Sequence, residues 1–197
     1  MDEMKKNWDI SRKVIGLTGS IAAGKSEVAK NLAHRGAYII EADEIGHKLL
    51  LPRSEVWSRI LGTFGPQILK SSGAIDRNKL GKVVFADRKK LRKLNEIMHP
   101  MIKDMIEHMI SKMRSRTIVI NAALPQLFSG LVDLVIVVDA SKAVRLARLL
   151  KKGVSKEQVL KMINSQMSKA AYLKLADIVI TNNGTRQSLA DKVKGLM

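Results

Sequence analysis

The segment Gly19-Ser20-Ile21-Ala22-Ala23-Gly24-Lys25-Ser26 matches the pattern G-x-x-x-x-G-K-[ST] in full. Its first residue, Gly19, ends the apolar run VIGLTG, which is typical of a buried strand. Its last three residues begin a stretch, 24 to about 33, in which apolar residues recur at helical spacing. In this context loop amides and the positive end of a helix dipole together bind phosphate. The segment therefore predicts a nucleotide phosphate site between a strand and a helix.

Two side chains of the segment have chemistry of their own. In loops of this pattern the ammonium of Lys25 reaches the β- and γ-phosphates, and the hydroxyl of Ser26 binds Mg²⁺. The cofactor that this pattern implies is Mg²⁺ with ATP. A Gly-containing turn before a basic helix start would give the same letters by chance, but the flanking strand and helix favour the phosphate site.

Further along the chain, four apolar runs predict four more strands, at residues 37–40, 117–120, 134–138 and 178–181. Helical patterns separate them, so the fold class is α/β, with a five-stranded parallel sheet between helices. Residues 54–116 are almost entirely helical in pattern, with breaks expected near 62–66, 71–73 and Pro100, and they predict a separate lobe. Residues 156 to about 175 predict one further helix.

Composition narrows the function classes. The 197 residues carry 35 Lys and Arg against 18 Asp and Glu, a net charge of +17 that attracts anions. Aromatic residues are only 4%, which disfavours a base-stacking binder of single strands. Without Cys no disulfide or thiolate site is possible. Residues 1–12 lack the apolar run of a signal peptide, and no stretch is long enough to span a membrane, so we expect a cytoplasmic protein.

A kinase that phosphorylates a hydroxyl needs a carboxylate to position the hydroxyl and accept its proton. Asp43 follows the second predicted strand and suits that role, although it could equally be the N-cap of the helix that begins there. Asp139, after the fourth strand, could bind Mg²⁺ or could cap the next helix. The residues alone leave both pairs of alternatives open.

Beyond the phosphate loop, the chain resembles the dephospho-CoA kinase family. The similar segments are VIGLTGSIAAGKS, GAYIIEADEIGHKLL, FGPQIL, GAIDRNKLGKVVF, IMHP, VIVVDA, RLLKKGVS, SQM and ADIVITNNG, in the expected order over about residues 13–197. The resemblance implies a transferase that uses ATP to phosphorylate the ribose 3′-hydroxyl of dephospho-CoA, the last step of coenzyme A biosynthesis. ATP and dephospho-CoA are the implied partners; nucleic acid and membrane are not.

The resemblance also implies an organisation and a site. Residues 13–50, 117–150 and 176–197 would form the nucleotide-binding core, 51–116 the helical acceptor lobe and 148–175 a lid region. Asp43 would be the catalytic base, with Lys25 and Arg148 steadying the transferring phosphoryl group. The implied ATP contacts are Gly19, Ser20, Ile21, Ala22, Ala23, Gly24, Lys25, Ser26, Glu27, Asn182 and Gly184, and the implied acceptor contacts are His47, Arg77 and His99.

The chain departs from the family pattern at several places. The loop has Ser20, Ala22 and Ala23 where the family is richer in Gly, and Ala takes a positive φ less freely. Tyr172 stands where Lys is typical, and the lid region is one residue short. Another small-molecule kinase of the same architecture is the nearest alternative. A GTPase would need an Asn-Lys-x-Asp motif, and Asn78-Lys79-Leu80-Gly81 lacks the Asp.

Overall fold

In a computed structural model, residues 13–196 are described; the signal-peptide expectation concerns residues 1–12, which lie outside that range. Within it, five strands form one parallel sheet in the order β2-β3-β1-β4-β5. The strands are β1 Val14–Gly19, β2 Tyr38–Glu41, β3 Ile118–Asn121, β4 Leu134–Asp139 and β5 Ile178–Thr181. The predicted α/β fold is confirmed, because β-branched and Leu-rich runs buried on both faces suit a parallel sheet.

The helices alternate with these strands as the sequence pattern predicts. They are α1 Lys25–Ala33, α2 Ala42–Leu49, α3 Glu55–Phe64, α4 Arg77–Phe85, α5 Arg88–Lys112, α6 Lys142–Lys151, α7 Lys156–Asn164, α8 Lys169–Leu175 and α9 Arg186–Lys194. Most begin at a short polar residue whose side chain accepts a bond from a first-turn amide, a typical N-cap. These N-caps are Ser54, Asp76, Ser141, Ser155, Ser168 and Thr185.

The described part of the chain divides into two compact units, one of residues 13–40 with 113–196 and one of Glu41–Lys112. In the first, the sheet packs on α1 and α9 around a core that includes Ile15, Leu17 and Leu32. In the second, α3, α4 and α5 surround a separate core. Each unit therefore has its own hydrophobic centre, as a domain requires.

Two predicted element boundaries are wrong. Pro100 lies inside α5, which runs unbroken from Arg88 to Lys112, although Pro lacks the N–H that an interior helical residue donates. The buried residues Ile97, Ile102 and Ile106 hold one face of α5 against its unit, and this packing compensates for the lost bond. Residues 156–175 form two helices, because Ser168 accepts from the amide of Ala171 and so caps a new helix.

Candidate active site

The phosphate loop leaves the carboxyl end of β1 beside β4. Gly19 pairs with Val138 in the sheet register, and a Cβ on Gly19 would lie 2.1 Å from the carbonyl oxygen of Val138. Because Gly19 also has φ +143°, a side chain there would be strained in two ways. The close approach of the two strands fixes where the loop begins.

The loop ends at a second constrained glycine, Gly24, directly before α1. Its φ is +108°, and a Cβ would lie 2.2 Å from Nδ2 of Asn182, which follows β5. The buried Asn182 donates from Nδ2 to the carbonyl oxygen of Ala23 over 2.8 Å. The first Gly and the last Gly of the motif are therefore required by contacts with the ends of β4 and β5.

Arg148, on α6, contacts the same part of the loop. Its Nη1 donates to the carbonyl oxygens of Ala22 and Ala23, each over 3.1 Å. Its Nη2 donates to the backbone oxygen and to Oδ1 of Asn182, over 3.0 and 3.3 Å. Arg148 and Asn182 thus brace the loop through the carbonyl oxygens of Ala22 and Ala23 and use none of its amides. We call this pair the brace.

Two loop residues show how the sequence departs from a glycine-rich pattern. Ala22 has φ +59°, in the left-handed region that non-Gly residues enter at a cost. Ser20 is buried, and its backbone oxygen accepts from the amide of Ala23 over 3.0 Å. The loop therefore adopts this conformation although it contains alanines. Hydrogen bonds at Ala22 and Ala23 offset the backbone strain at Ala22.

Lys25 and Ser26 form the first turn of α1. Nζ of Lys25 donates to the carbonyl oxygen of Gly19 over 3.0 Å, so the ammonium lies across the loop. Ser26 is exposed, and Glu27 is half-buried in the same turn. Gly184, in the turn after β5, is exposed two residues beyond Asn182. The structure thus groups the loop, Lys25, Arg148 and Asn182 at one end of the sheet.

Sequence reasoning missed two further contacts at this end. Oε1 of Gln166, in the turn between α7 and α8, accepts the amide of Ile21 over 2.8 Å. Lys169, which begins α8, donates to Oδ2 of Asp139 over 2.7 Å. The helix-cap alternative for Asp139 is wrong, since Ser141 caps α6. Residues 165–167 were among the segments that resemble the family, but their sequence did not indicate which loop atom Gln166 would contact.

The remaining predicted residues belong to the Glu41–Lys112 unit. Asp43 is exposed in the first turn of α2, and the N-cap of that helix is Glu41, so the cap alternative for Asp43 is wrong. His47 is exposed one turn later on α2. This helix packs on α5, where Gly46 lies close to Met98 and Ile102.

Arg77 and His99 lie on α4 and α5. Arg77 is exposed directly after the N-cap Asp76, whose pKa is lowered chiefly by the amide of Lys79. Burial lowers the pKa of His99, which keeps its imidazole neutral at pH 7. His99 lines a groove of about 520 Å³ along α5, together with Arg88, Leu91, Arg92, Asn95, Glu96 and Pro100. Its two arginines outnumber its one acidic residue, Glu96, so the groove has a net positive charge that favours an anionic group.

A magnesium ion suits the donor chemistry of the loop only together with a nucleotide. Among residues 13–196 no group of three or more His, Asp and Glu side chains could hold a metal. Mg²⁺ is commonly held by one or two protein oxygens with waters and substrate phosphates, and the exposed hydroxyl of Ser26 can supply one such oxygen.

A strand, a phosphate loop and a helix at one end of a parallel five-stranded sheet define a P-loop nucleotide-binding protein. The family model for dephospho-CoA kinase matches residues 13–188. The chain belongs to the dephospho-CoA kinase family, which carries out the last step of coenzyme A biosynthesis, an ATP-dependent phosphorylation.

Individual relatives agree with this assignment. The chain is 40% identical to the dephospho-CoA kinase of Carboxydothermus hydrogenoformans, over 91% of this chain and 90% of that protein. It is 37% identical to that of Thermobifida fusca, over 91% and 92%. The solved dephospho-CoA kinase from Campylobacter jejuni matches with a TM-score of 0.66 and 27% identity, over 92% and 93% of the two chains. Within residues 13–196, none of the helices combines the length and the apolar composition that a transmembrane span needs.

Proposed function

We propose that this chain transfers the γ-phosphoryl group of ATP to the ribose 3′-hydroxyl of dephospho-CoA, and that it does so in the cytoplasm. The observation that carries the proposal is the braced loop. Its carbonyl oxygens are bonded to Arg148 and Asn182, and Lys25 lies across it. Such a loop can present amides and an ammonium to a triphosphate without rearranging its backbone.

In the proposed reaction the loop amides and Lys25 hold the phosphates of ATP. Mg²⁺ bound with ATP would take the Ser26 hydroxyl and offset phosphate charge. Asp43, exposed in the first turn of α2, would accept the proton of the 3′-hydroxyl. A bond forms between that oxygen and the γ-phosphorus, the bond from the γ-phosphorus to the bridging oxygen breaks, and ADP leaves.

The contacts of Arg148 indicate how it contributes to phosphoryl transfer. Its guanidinium donates to four oxygen atoms of the loop and Asn182. To steady the transferring phosphoryl group through Nη1 or Nη2, it would have to give up bonds to the loop or to Asn182. The contacts favour an indirect contribution, in which Arg148 fixes the loop that holds the phosphates.

We further propose that His47, Arg77 and His99 contact the acceptor. The support is that His99 lines the groove along α5 with Arg88 and Arg92. Dephospho-CoA carries a diphosphate, which arginine side chains bind well. The neutral imidazole of His99 can still donate or accept one hydrogen bond to such a ligand.

The test is a coupled assay of ADP release with dephospho-CoA, run beside adenosine and nucleoside monophosphates. We expect release with dephospho-CoA only; release with a monophosphate instead would favour the alternative kinase class. Lys25→Ala should lower kcat at least about a hundredfold, because it removes a charge that offsets the developing phosphoryl charge. Asp43→Asn should lower kcat while ATP binding survives, and intact turnover in that variant would remove Asp43 from the base role.

A further inference from the structure

The turn at residues 165–168, between α7 and α8, is attached to the phosphate end of the sheet at two points. Gln166 accepts the amide of Ile21 through its Oε1 over 2.8 Å. Just beyond the turn, the ammonium of Lys169 pairs with Asp139 over 2.7 Å. The first contact is to the loop itself and the second is to the end of β4, so the two attachments are separable.

The amide of Ile21 belongs to the loop whose N–H groups bind phosphate. A backbone N–H has a single hydrogen, which makes one strong, nearly linear bond. At 2.8 Å, Oε1 of Gln166 uses the hydrogen of that N–H, so a phosphate oxygen can bond to the Ile21 amide only by taking the place of Oε1. The Gln166 side chain and a phosphate oxygen on the Ile21 amide therefore exclude each other.

We propose that Gln166 is a positioning residue that holds the Ile21 amide and is displaced from it by a phosphate group of the nucleotide. The proposal rests on the function proposed above. A bond from an N–H to a charged phosphate oxygen is about twice as strong as one to a neutral amide oxygen, so phosphate wins the exchange. The Lys169–Asp139 pair does not involve the loop and can persist.

Two consequences follow from this competition. Nucleotide binding has to replace an existing hydrogen bond, so the Gln166 contact lowers the affinity of the loop for phosphate. By linkage, phosphate on the loop weakens the attachment of the 165–168 turn by the same factor. Phosphate binding to the loop therefore weakens the attachment of the turn that follows α7. Lys169 still holds the start of α8 at the end of β4.

The experiment measures the binding of ATP and of inorganic tripolyphosphate by calorimetry. The proteins are the full chain, Gln166→Ala, Gln166→Glu and the control Gln158→Ala, which changes an exposed glutamine on α7. Gln166→Ala should bind both ligands about two- to tenfold more tightly, the factor that corresponds to one net hydrogen bond. Gln166→Glu should bind both more than about tenfold more weakly, because a carboxylate accepts more strongly and repels phosphate. Gln158→Ala should match the parent chain.

An unchanged or weaker affinity in Gln166→Ala, with normal binding by the parent chain, would overturn the role of Gln166 and leave the kinase proposal standing. If the parent chain binds neither ligand, both proposals fall. Amide hydrogen exchange of the loop peptide gives a second readout. Without ligand, Gln166→Ala should exchange the Ile21 amide faster than the parent, and tripolyphosphate should abolish the difference. Equal exchange without ligand would contradict the contact itself.

Discussion

The brace behind the phosphate loop makes a sharp prediction for Asn182→Ala. The Asn182 side chain is buried, donates to the carbonyl oxygen of Ala23 and accepts from Arg148. Truncation to alanine removes both bonds and leaves the Ala23 oxygen with the Arg148 contact at 3.1 Å. The loop should then lose part of its fixed form, and the chain part of its stability.

The magnitude follows from the two bonds. A neutral hydrogen bond contributes about 0.5–1.5 kcal/mol, and one to a charged group about 1.5–3 kcal/mol. The bond to Arg148 is long at 3.3 Å, so its contribution lies at the low end. We expect a loss of about 2–3 kcal/mol in the free energy of unfolding, or a fall in Tm of roughly 4–12 °C for a chain of this size.

The assay is urea and thermal unfolding followed by far-UV circular dichroism, with Asn183→Ala as the matched control. Asn183 is the same residue type one position on; it is exposed, and its side chain accepts a hydrogen bond from the amide of Ser141. Its replacement should cost under about 1 kcal/mol. A double-mutant cycle with Arg148→Ala should show a coupling of at least about 0.5 kcal/mol. The brace is refuted if Asn182→Ala costs no more than the control, or if the two changes are additive.

Two further predictions concern Ala22 and His99. Ala22→Gly should raise the free energy of unfolding by about 1 kcal/mol, because glycine relieves the strain of φ +59°; a loss of stability in urea unfolding would contradict this. Burial lowers the pKa of His99 below its unfolded value near 6.5, so the folded state binds fewer protons than the unfolded state. The stability that the neutral imidazole contributes is present above about pH 6.5 and is lost as the pH falls through the folded pKa. Urea midpoints at pH 7.5 and 5.5 should differ less in His99→Gln than in the parent, and equal differences would rule His99 out as the cause.

Much of the fold was predictable because its signals are local. Each strand is a short apolar run that ends at a polar or glycine residue, and the loop motif lies between one strand and one helix. One error came where packing overrode a local signal, and the other where a local N-cap overrode the helical periodicity. Pro100 should have ended a helix, but the buried face of α5 carries the helix through it. Ser168 begins a helix in a stretch whose periodicity alone suggested continuity.

The order of residues along the chain was sufficient to predict the phosphate loop, the alternation of strands and helices, and the family. These features depend on residue types at fixed spacings. The folded structure was needed to show that Arg148 and Asn182 hold the loop by its carbonyl oxygens, and that Gln166 takes the amide of Ile21. These partners are separated by 125 to 159 positions. Contacts of that kind depend on how β1, β4 and β5 end at one edge of the sheet, a relation in space that local spacing does not encode.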